Sequence, residues 1–209
     1  MIPNVVSSFY GAAMAWRRRW YLNGSGRQRR LAMPVISVGN LRMGGSGKTP
    51  AVEYIARLLA ASGEQPAILT RGYRRRVATS GVTIVSDGTR LLADLDTAGD
   101  EALMLARALP HVRVLVDANR HRAGTVAERQ LGATVHILDD GFQHLALARD
   151  VDLLLVGEED LTERVLPGGP LRESLAAAAR ADALLVNASY SAAADRIGRS
   201  LGVPTTFFV

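Results

Sequence analysis

The sequence predicts an α/β fold: a mostly parallel sheet with helices on both faces, preceded by an N-terminal amphipathic helix. Three observations carry this. A short apolar run, Pro34 to Gly39, leads through a glycine-rich turn into a helical pattern. Beyond it, apolar segments alternate with helical ones to the end of the chain, and strands that are continuously apolar belong to a sheet covered on both faces. Finally, 209 residues with 48 % hydrophobic content suit one domain with a substantial core, which excludes a disordered or fibrous chain.

The first element is the amphipathic helix. Met1 to Trp16 is mostly apolar but is interrupted by Pro3, Asn4, Ser7, Ser8 and Gly11, and it falls short of the about 20 residues that a membrane span needs. Arg17, Arg18 and Arg19 follow the apolar stretch, whereas a secretory signal places its charges before it, so the chain reads as cytoplasmic. Val6, Phe9, Ala13, Trp16 and Trp20 step by three or four residues and form one apolar stripe. Either the stripe lies in a membrane interface, with the arginines reaching lipid phosphates, or it docks the helix on the core. Asn23 to Gly26 break the helix, which sets a basic segment, 1–31, apart from a core over 32–209.

Charge is distributed unevenly in the same sense. No Asp or Glu occurs before Glu53, and residues 1–52 hold eight positive charges, leaving 17 basic against 20 acidic residues in the remainder. The excess of +5 therefore belongs to the N-terminus and suits a polyanionic partner there, an anionic membrane surface rather than nucleic acid, since no wider aromatic stacking platform accompanies it. The chain has no cysteine, which excludes a disulfide scaffold, a thiolate metal site and a cysteine nucleophile.

The strand at Pro34 to Gly39 continues through Asn40-Leu41 into Arg42-Met43-Gly44-Gly45-Ser46-Gly47-Lys48-Thr49-Pro50, and a helix follows whose apolar face is Val52, Ile55, Ala56, Leu58 and Leu59, ending at Ser62-Gly63. Strand, glycine loop and Gly-Lys-Thr opening a helix are the parts of a P-loop, so the fold is of the P-loop NTPase type. Backbone N–H groups of residues 42–49 would cradle phosphates of ATP at a helix N-terminus. Lys48 would reach the β- and γ-phosphates, and the Thr49 hydroxyl would ligate Mg²⁺. The strict pattern has glycine where this chain has Arg42. Against that, Lys48 is the single lysine beside 24 arginines, and a compact ammonium suits a point charge among phosphates.

The remaining elements follow from the same periodicities: a strand at Ala67 to Thr70, a hairpin at Val82 to Val85 and Arg90 to Leu92, a helix from Asp100 to Leu109, and a strand at Val112 to Val116. A helix near Ala123 to Leu131 and strands at Thr134 to Leu138 and Val151 to Val156 come next. An Ala-rich helix at Leu171 to Ala181, a strand at Ala183 to Val186, a helix over Ser191 to Leu201 and a closing run Thr205 to Val209 complete the chain. In such sheets ligands sit at the carboxyl ends of the strands. There, Asp139-Asp140 follow the strand ending at Leu138 and suit an Mg²⁺ ligand, with Asp139 favoured, although Asp-Gly also makes a turn. Arg71, Arg74, Arg75 and Arg76 follow the second strand and are either phosphate-gripping or solvated. Asp100 opens a helix, as a catalytic base or as a cap. Asp140 and His144 are further candidates for the base.

In combination these motifs resemble a known family. Val38-Gly39-Asn40, Gly44-Gly45-Ser46-Gly47-Lys48-Thr49-Pro50, Arg71-Gly72-Tyr73, Gly99-Asp100-Glu101, Asp139-Asp140-Gly141-Phe142-Gln143-His144, Arg149-Asp150 and Leu166-Pro167-Gly168-Gly169-Pro170-Leu171-Arg172-Glu173 are similar, in that order, to the tetraacyldisaccharide 4′-kinases of lipid A biosynthesis. The resemblance covers roughly residues 1–190, and family members also lack the first P-loop glycine. It implies transfer of the ATP γ-phosphoryl group to the 4′-hydroxyl of a tetraacyldisaccharide 1-phosphate, by an enzyme peripheral to the cytoplasmic face of the inner membrane. It further implies Lys48 and Thr49 on ATP and Mg²⁺, Asp139 on the metal, and Asp100 as catalytic base, with Lys48 counted among the catalytic residues. Arg71, Asp140, Gln143, His144, Arg172 and Glu173 would lie near the substrate or metal.

Family chains continue into a C-terminal lobe that supplies a histidine paired with the catalytic Asp, whereas this sequence stops at Val209 and His111, His121, His136 and His144 all precede that region. Either the chain is a fragment, or a second polypeptide supplies the lobe, or the protein binds nucleotide without efficient transfer; the expectation is a fragment. The competing readings are a membrane-recruited P-loop ATPase, which would carry a lysine where this chain has Met43, and a nucleotide-binding module without lipid kinase activity.

Overall fold

The computed structural model describes residues 2–24, 27–44, 47–73, 75–77, 81–187 and 191–208. Helix α1 (Ile2–Leu22) precedes β1 (Val35–Asn40), α2 (Lys48–Ala61), β2 (Pro66–Thr70), β3 (Thr83–Asp87), the single turn α3 (Leu95–Ala98), α4 (Asp100–Ala108) and β4 (Arg113–Val116). Then follow α5 (Arg120–Leu131), β5 (Val135–Asp139), β6 (Val151–Gly157), β7 (Ala183–Asn187), α6 (Ser191–Leu201) and β8 (Thr206–Phe208). Among the described residues the sheet has eight strands in the order β3-β4-β2-β5-β1-β6-β7-β8. All neighbours are parallel except β3, which runs antiparallel to β4.

The strands read as continuously apolar because both faces are packed. Along β2, Ile68 joins one core cluster with Val52 and Ala56 of α2 and Ala102 and Leu105 of α4, while Ala67 and Leu69 join another with Ala123 and Ala127 of α5. Along β6, Leu155 belongs with the α2 and α4 cluster, and Leu154 and Val156 pack with Ala194 and Ile197 of α6. Successive side chains of a strand point to opposite faces, so α2 and α4 cover one face and α5 and α6 the other.

Two expectations are corrected. The hairpin is shorter than expected: the return segment pairs with β3 through one antiparallel bridge, Ser86 with Leu91, closed by the Leu92 N–H to the Val85 carbonyl at 2.9 Å and the Asp87 N–H to the Arg90 carbonyl at 3.3 Å, and the longer partner of β3 is β4. The cause is the turn: Asp87 Oδ1 accepts from the backbone of Thr89 and Arg90 and from the Thr89 hydroxyl, and Leu91 and Leu92 stay exposed. The Ala-rich helix shrinks to a 3₁₀ segment, Leu175–Arg180. Residues 171 and 172 are unavailable to it, since Leu171 forms bridges to Arg42 and Val165 and the Arg172 N–H donates to the Leu41 carbonyl at 2.6 Å.

Helix α1 does not use its apolar stripe to dock on the core. Its whole stripe, Val6, Phe9, Ala13, Trp16 and Trp20, is exposed, Phe9 at 73 % and Trp16 at 69 %. The half-buried side is mixed, with Tyr10, Met14 and Ala15 beside Ser7, Arg17 and Arg18, and its polar members bond to the core. Arg17 donates to the Gln143 carbonyl at 3.2 Å, Arg18 pairs with the buried Glu173 at 2.9 Å, and the Ser7 hydroxyl accepts from the Gly168 N–H. The basic stretch behind α1 is stitched down as well, with the Arg29 backbone bonded to Ala146 and Ala148 and Leu31 buried in the core.

Candidate active site

The site is assembled where β1 and β5 end side by side. Gly39 makes this possible: a Cβ there would lie 2.6 Å from Phe142 Cβ and 2.8 Å from its backbone N. Only glycine lets the end of β1 approach the Asp139-to-His144 segment so closely. Beyond β5 the chain turns at Asp140, whose φ of 53° is left-handed, a conformation that Asp tolerates better than most residues. The Gly141 N–H then donates to the Val38 carbonyl at 3.1 Å, so the Asp-Gly pair is both a turn and a site.

Lys48 opens α2 and reaches back across this junction. Its Nζ donates to Asn40 Oδ1 at 3.0 Å and lies 3.2 Å from Asp140 Oδ1. Asp140 is also gripped by Arg172 at 2.7 Å, and the same Arg172 nitrogen donates to Gln143 Oε1 at 3.3 Å. Gln143 in turn donates to the Asn40 carbonyl at 3.0 Å. Burial would push the Asp140 carboxyl up, but Lys48 and Arg172 outweigh it and hold the group below the ordinary carboxylate range. Asp139 stands differently. It is buried at 6 % exposure, and burial, followed by the charges of Glu101 and Asp140, pushes its carboxyl up to about 6 against the opposing pull of Lys48 and a hydrogen bond from Thr70.

A second ring of cations surrounds the carboxylates. Arg120, the first residue of α5, is buried, and burial lowers its guanidinium to about 10 while Asp139 and Asp140 act in the other direction and Arg71 repels it. His144 is pushed down to about 4 by burial and by Arg120, Arg149, Arg17 and Arg71, so its imidazole is neutral at ordinary pH. Asp100 is exposed at the start of α4, beside Glu101 whose charge bears on Asp139. It is not the cap: that position belongs to Gly99, with φ of 83° and a would-be Cβ 2.6 Å from the Tyr73 carbonyl.

The structure thus brings together Lys48, Asp139, Asp140, Gln143 and Arg172 in direct contact or as sheet-end neighbours, with Arg71 and His144 within electrostatic reach. Thr49 is half-buried in the first turn of α2. Met43, Gly44 and Gly47 are exposed, and Gly45 and Ser46, like Arg74, lie outside the described residues. Two of the expected residues point elsewhere. Glu173 turns to Arg18 and Arg180, and the Arg42 guanidinium turns to Asp160 and Glu163. Sequence reasoning passed over Arg120, Asn40 and Thr70 as site residues. Asn40 and Thr70 both close a strand, and that position at a carboxyl end could have drawn attention to them. Among the described residues no group of three or more His, Cys, Asp or Glu side chains is gathered as a metal cage.

A family model described as tetraacyldisaccharide-1-P 4′-kinase matches residues 2–205. A tetraacyldisaccharide 4′-kinase of Desulfotalea psychrophila is 48 % identical over 183 residues, covering 87 % of this chain and 52 % of that protein. The Aquifex aeolicus protein of the same name is 44 % identical over 180 residues. A crystal structure of LpxK from Aquifex aeolicus, described as an "apo" form in complex with ATP, matches with a TM-score of 0.81 at 44 % identity, over 87 % of this chain and 56 % of that one. The chain spans about half the length of the curated relatives it matches.

Proposed function

This chain belongs to the tetraacyldisaccharide 4′-kinase family, and from that premise we propose that it transfers the γ-phosphoryl group of ATP to the 4′-hydroxyl of a tetraacyldisaccharide 1-phosphate. The observation that carries the reading is the convergence of the chain's single lysine with the carboxylates that follow β5: Lys48 against Asp140, with Asp139 buried behind. Residues 42–49 bind the nucleotide through backbone N–H groups, and Lys48, released from Asp140, meets the β- and γ-phosphates. Arg172 then keeps Asp140 charged and in place.

Mg²⁺ fits the donor set. The ion is usually held by one or two carboxylates together with a hydroxyl and substrate phosphates rather than by an all-protein cage, and Asp139 is a buried carboxylate whose group is pushed up by burial and by the neighbouring charges of Glu101 and Asp140, which a bound cation would offset. Asp139 and the Thr49 hydroxyl would hold the ion, which supplies charge neutralisation at the phosphates. Asp100 takes the proton of the 4′-hydroxyl as its oxygen bonds to the γ-phosphorus and the bond to the β-phosphate oxygen breaks, releasing ADP. Arg71, Gln143 and neutral His144 face the sugar and phosphate groups of the lipid.

A lipid with four acyl chains stays in the bilayer, so the enzyme must meet it there. The outward stripe of α1 supports peripheral binding at the inner membrane's cytoplasmic face, with residues 1–31 as the membrane-facing segment and 32–209 as the kinase core. No helix among the described residues is long and apolar enough to cross a membrane. The test is incubation with ATP, Mg²⁺ and tetraacyldisaccharide 1-phosphate in mixed micelles. A bisphosphorylated lipid is the expected product, and ATP hydrolysis without lipid phosphorylation would favour a membrane-recruited ATPase instead.

A further inference from the structure

Residue 42 is where the strict glycine pattern fails, and its side chain leaves the phosphate loop. Arg42 Nε donates to Asp160 Oδ1 at 2.7 Å and Nη2 to Glu163 at 3.4 Å. Asp160 is 5 % exposed at its side chain, and its second oxygen accepts from the Gly157 N–H at the end of β6, the strand beside β1. The backbone on either side of Arg42 is held too. The Met43 N–H donates to the Pro170 carbonyl at 2.9 Å, the Arg172 N–H donates to the Leu41 carbonyl, and Arg42 bridges Leu171. The strip that embraces the loop therefore ends in Arg172, which grips Asp140, which pairs with Lys48. The contacts close into a ring, and Arg42 ties it to the end of β6.

We infer that Arg42 is a positioning residue: acting through Asp160, it fixes the first half of the phosphate loop and the Arg172-bearing strip as one unit before nucleotide arrives. The inference rests on the ATP-binding reading above. Two physical arguments support it. A fork-shaped guanidinium suits a nearly buried carboxylate, and removing it strands that carboxylate with a single N–H partner. A loop ordered in advance pays less conformational entropy when phosphates bind.

The test uses Arg42→Gly, which restores the strict pattern. If glycine were what the loop lacks, MgATP affinity measured by titration calorimetry would hold or improve. The inference expects it to fall about tenfold, equivalent to about 1.4 kcal/mol. Asp160→Asn, which keeps the shape, should give a similar loss, and the double variant should bind no more weakly than the weaker single one, because the two residues act together. Arg42→Lys, which keeps the charge without the fork, should fall between. Thermal melting without nucleotide separates loop positioning from general loss of fold, and if Arg42→Gly does not fold, Asp160→Asn carries the test. Unchanged affinity in either variant would overturn the inference. Additive losses would overturn it too, since Arg42 would then act on the nucleotide directly. Failure of the underlying reading shows separately: equal MgATP binding by the unsubstituted chain and Lys48→Ala would remove the phosphate-loop assignment, and this inference with it.

Discussion

Helices α1 and α2 carry the same kind of pattern and use it in opposite directions. In α2 most of the apolar face is turned inward, with Val52 and Ala56 buried and only Leu58 of that face exposed, and the helix presents its first turn to the site. In α1 the stripe of Val6, Phe9, Ala13, Trp16 and Trp20 is turned outward, and the side that meets the core is held by polar contacts of Arg17, Arg18 and Ser7 beside half-buried Tyr10, Met14 and Ala15. The difference teaches that apolar periodicity marks a face without saying what the face meets. The partners of the charged residues decide that. In α1 the arginines are taken up by Glu173 and the Gln143 carbonyl, which leaves the stripe for something else apolar.

On the proposed function nucleotide would meet the α2 side and lipid the α1 side, so variants should separate the two. The largest effect is expected for Asp100→Ala. Turnover should fall by about 10²- to 10⁴-fold, the usual contribution of a general base, with MgATP affinity nearly intact. Equal loss of both would make Asp100 structural. Lys48→Ala should weaken MgATP binding by on the order of a hundredfold, given the strength of hydrogen bonds to charged groups, and should leave vesicle binding alone. A variant that loses vesicle binding instead would break the assignment of sides.

Smaller effects sharpen the contrast. Arg18→Ala leaves the buried Glu173 with Arg180 at 3.5 Å as its remaining ion-pair partner and should lower unfolding stability by about 1–3 kcal/mol. Val52→Ala, in the inward face of α2, should cost about 1–3 kcal/mol in chemical denaturation, the range for losing buried methyl groups. Trp16→Ser, in the outward stripe of α1, should change stability by less than about 0.5 kcal/mol yet reduce sedimentation with anionic vesicles. Equal destabilisation by the last two would mean that α1 is a docked helix after all.

What was legible in the sequence was local. The β1, glycine-loop and α2 unit, the parallel sheet and the acids after β5 all follow from contiguous residues, and the structure has them within a residue or two of their expected bounds. What was not legible depended on distant partners. The ends of Arg42's ion pair are 118 residues apart, and nothing in Arg42-Met43-Gly44 points to Asp160. The helix expected over residues 171–181 fails for a similar reason, because backbone pairing with Leu41 and Arg42 takes its first turn. Arg120 sits in a helical stretch rich in arginine, where composition suggests a solvated face, and only the fold buries it within electrostatic reach of Asp139 and Asp140.

The most direct measurement uses the tryptophans. The chain has two, Trp16 and Trp20, and both lie in the α1 stripe, so tryptophan emission excited at a wavelength that tyrosine does not absorb reports on that helix alone. Mixed with anionic vesicles containing brominated lipids, the protein should show quenching of that emission, while Lys48→Ala should be quenched to the same extent. Emission indifferent to brominated lipid, in a protein that still binds MgATP, would contradict the account of α1 as the face that meets the membrane.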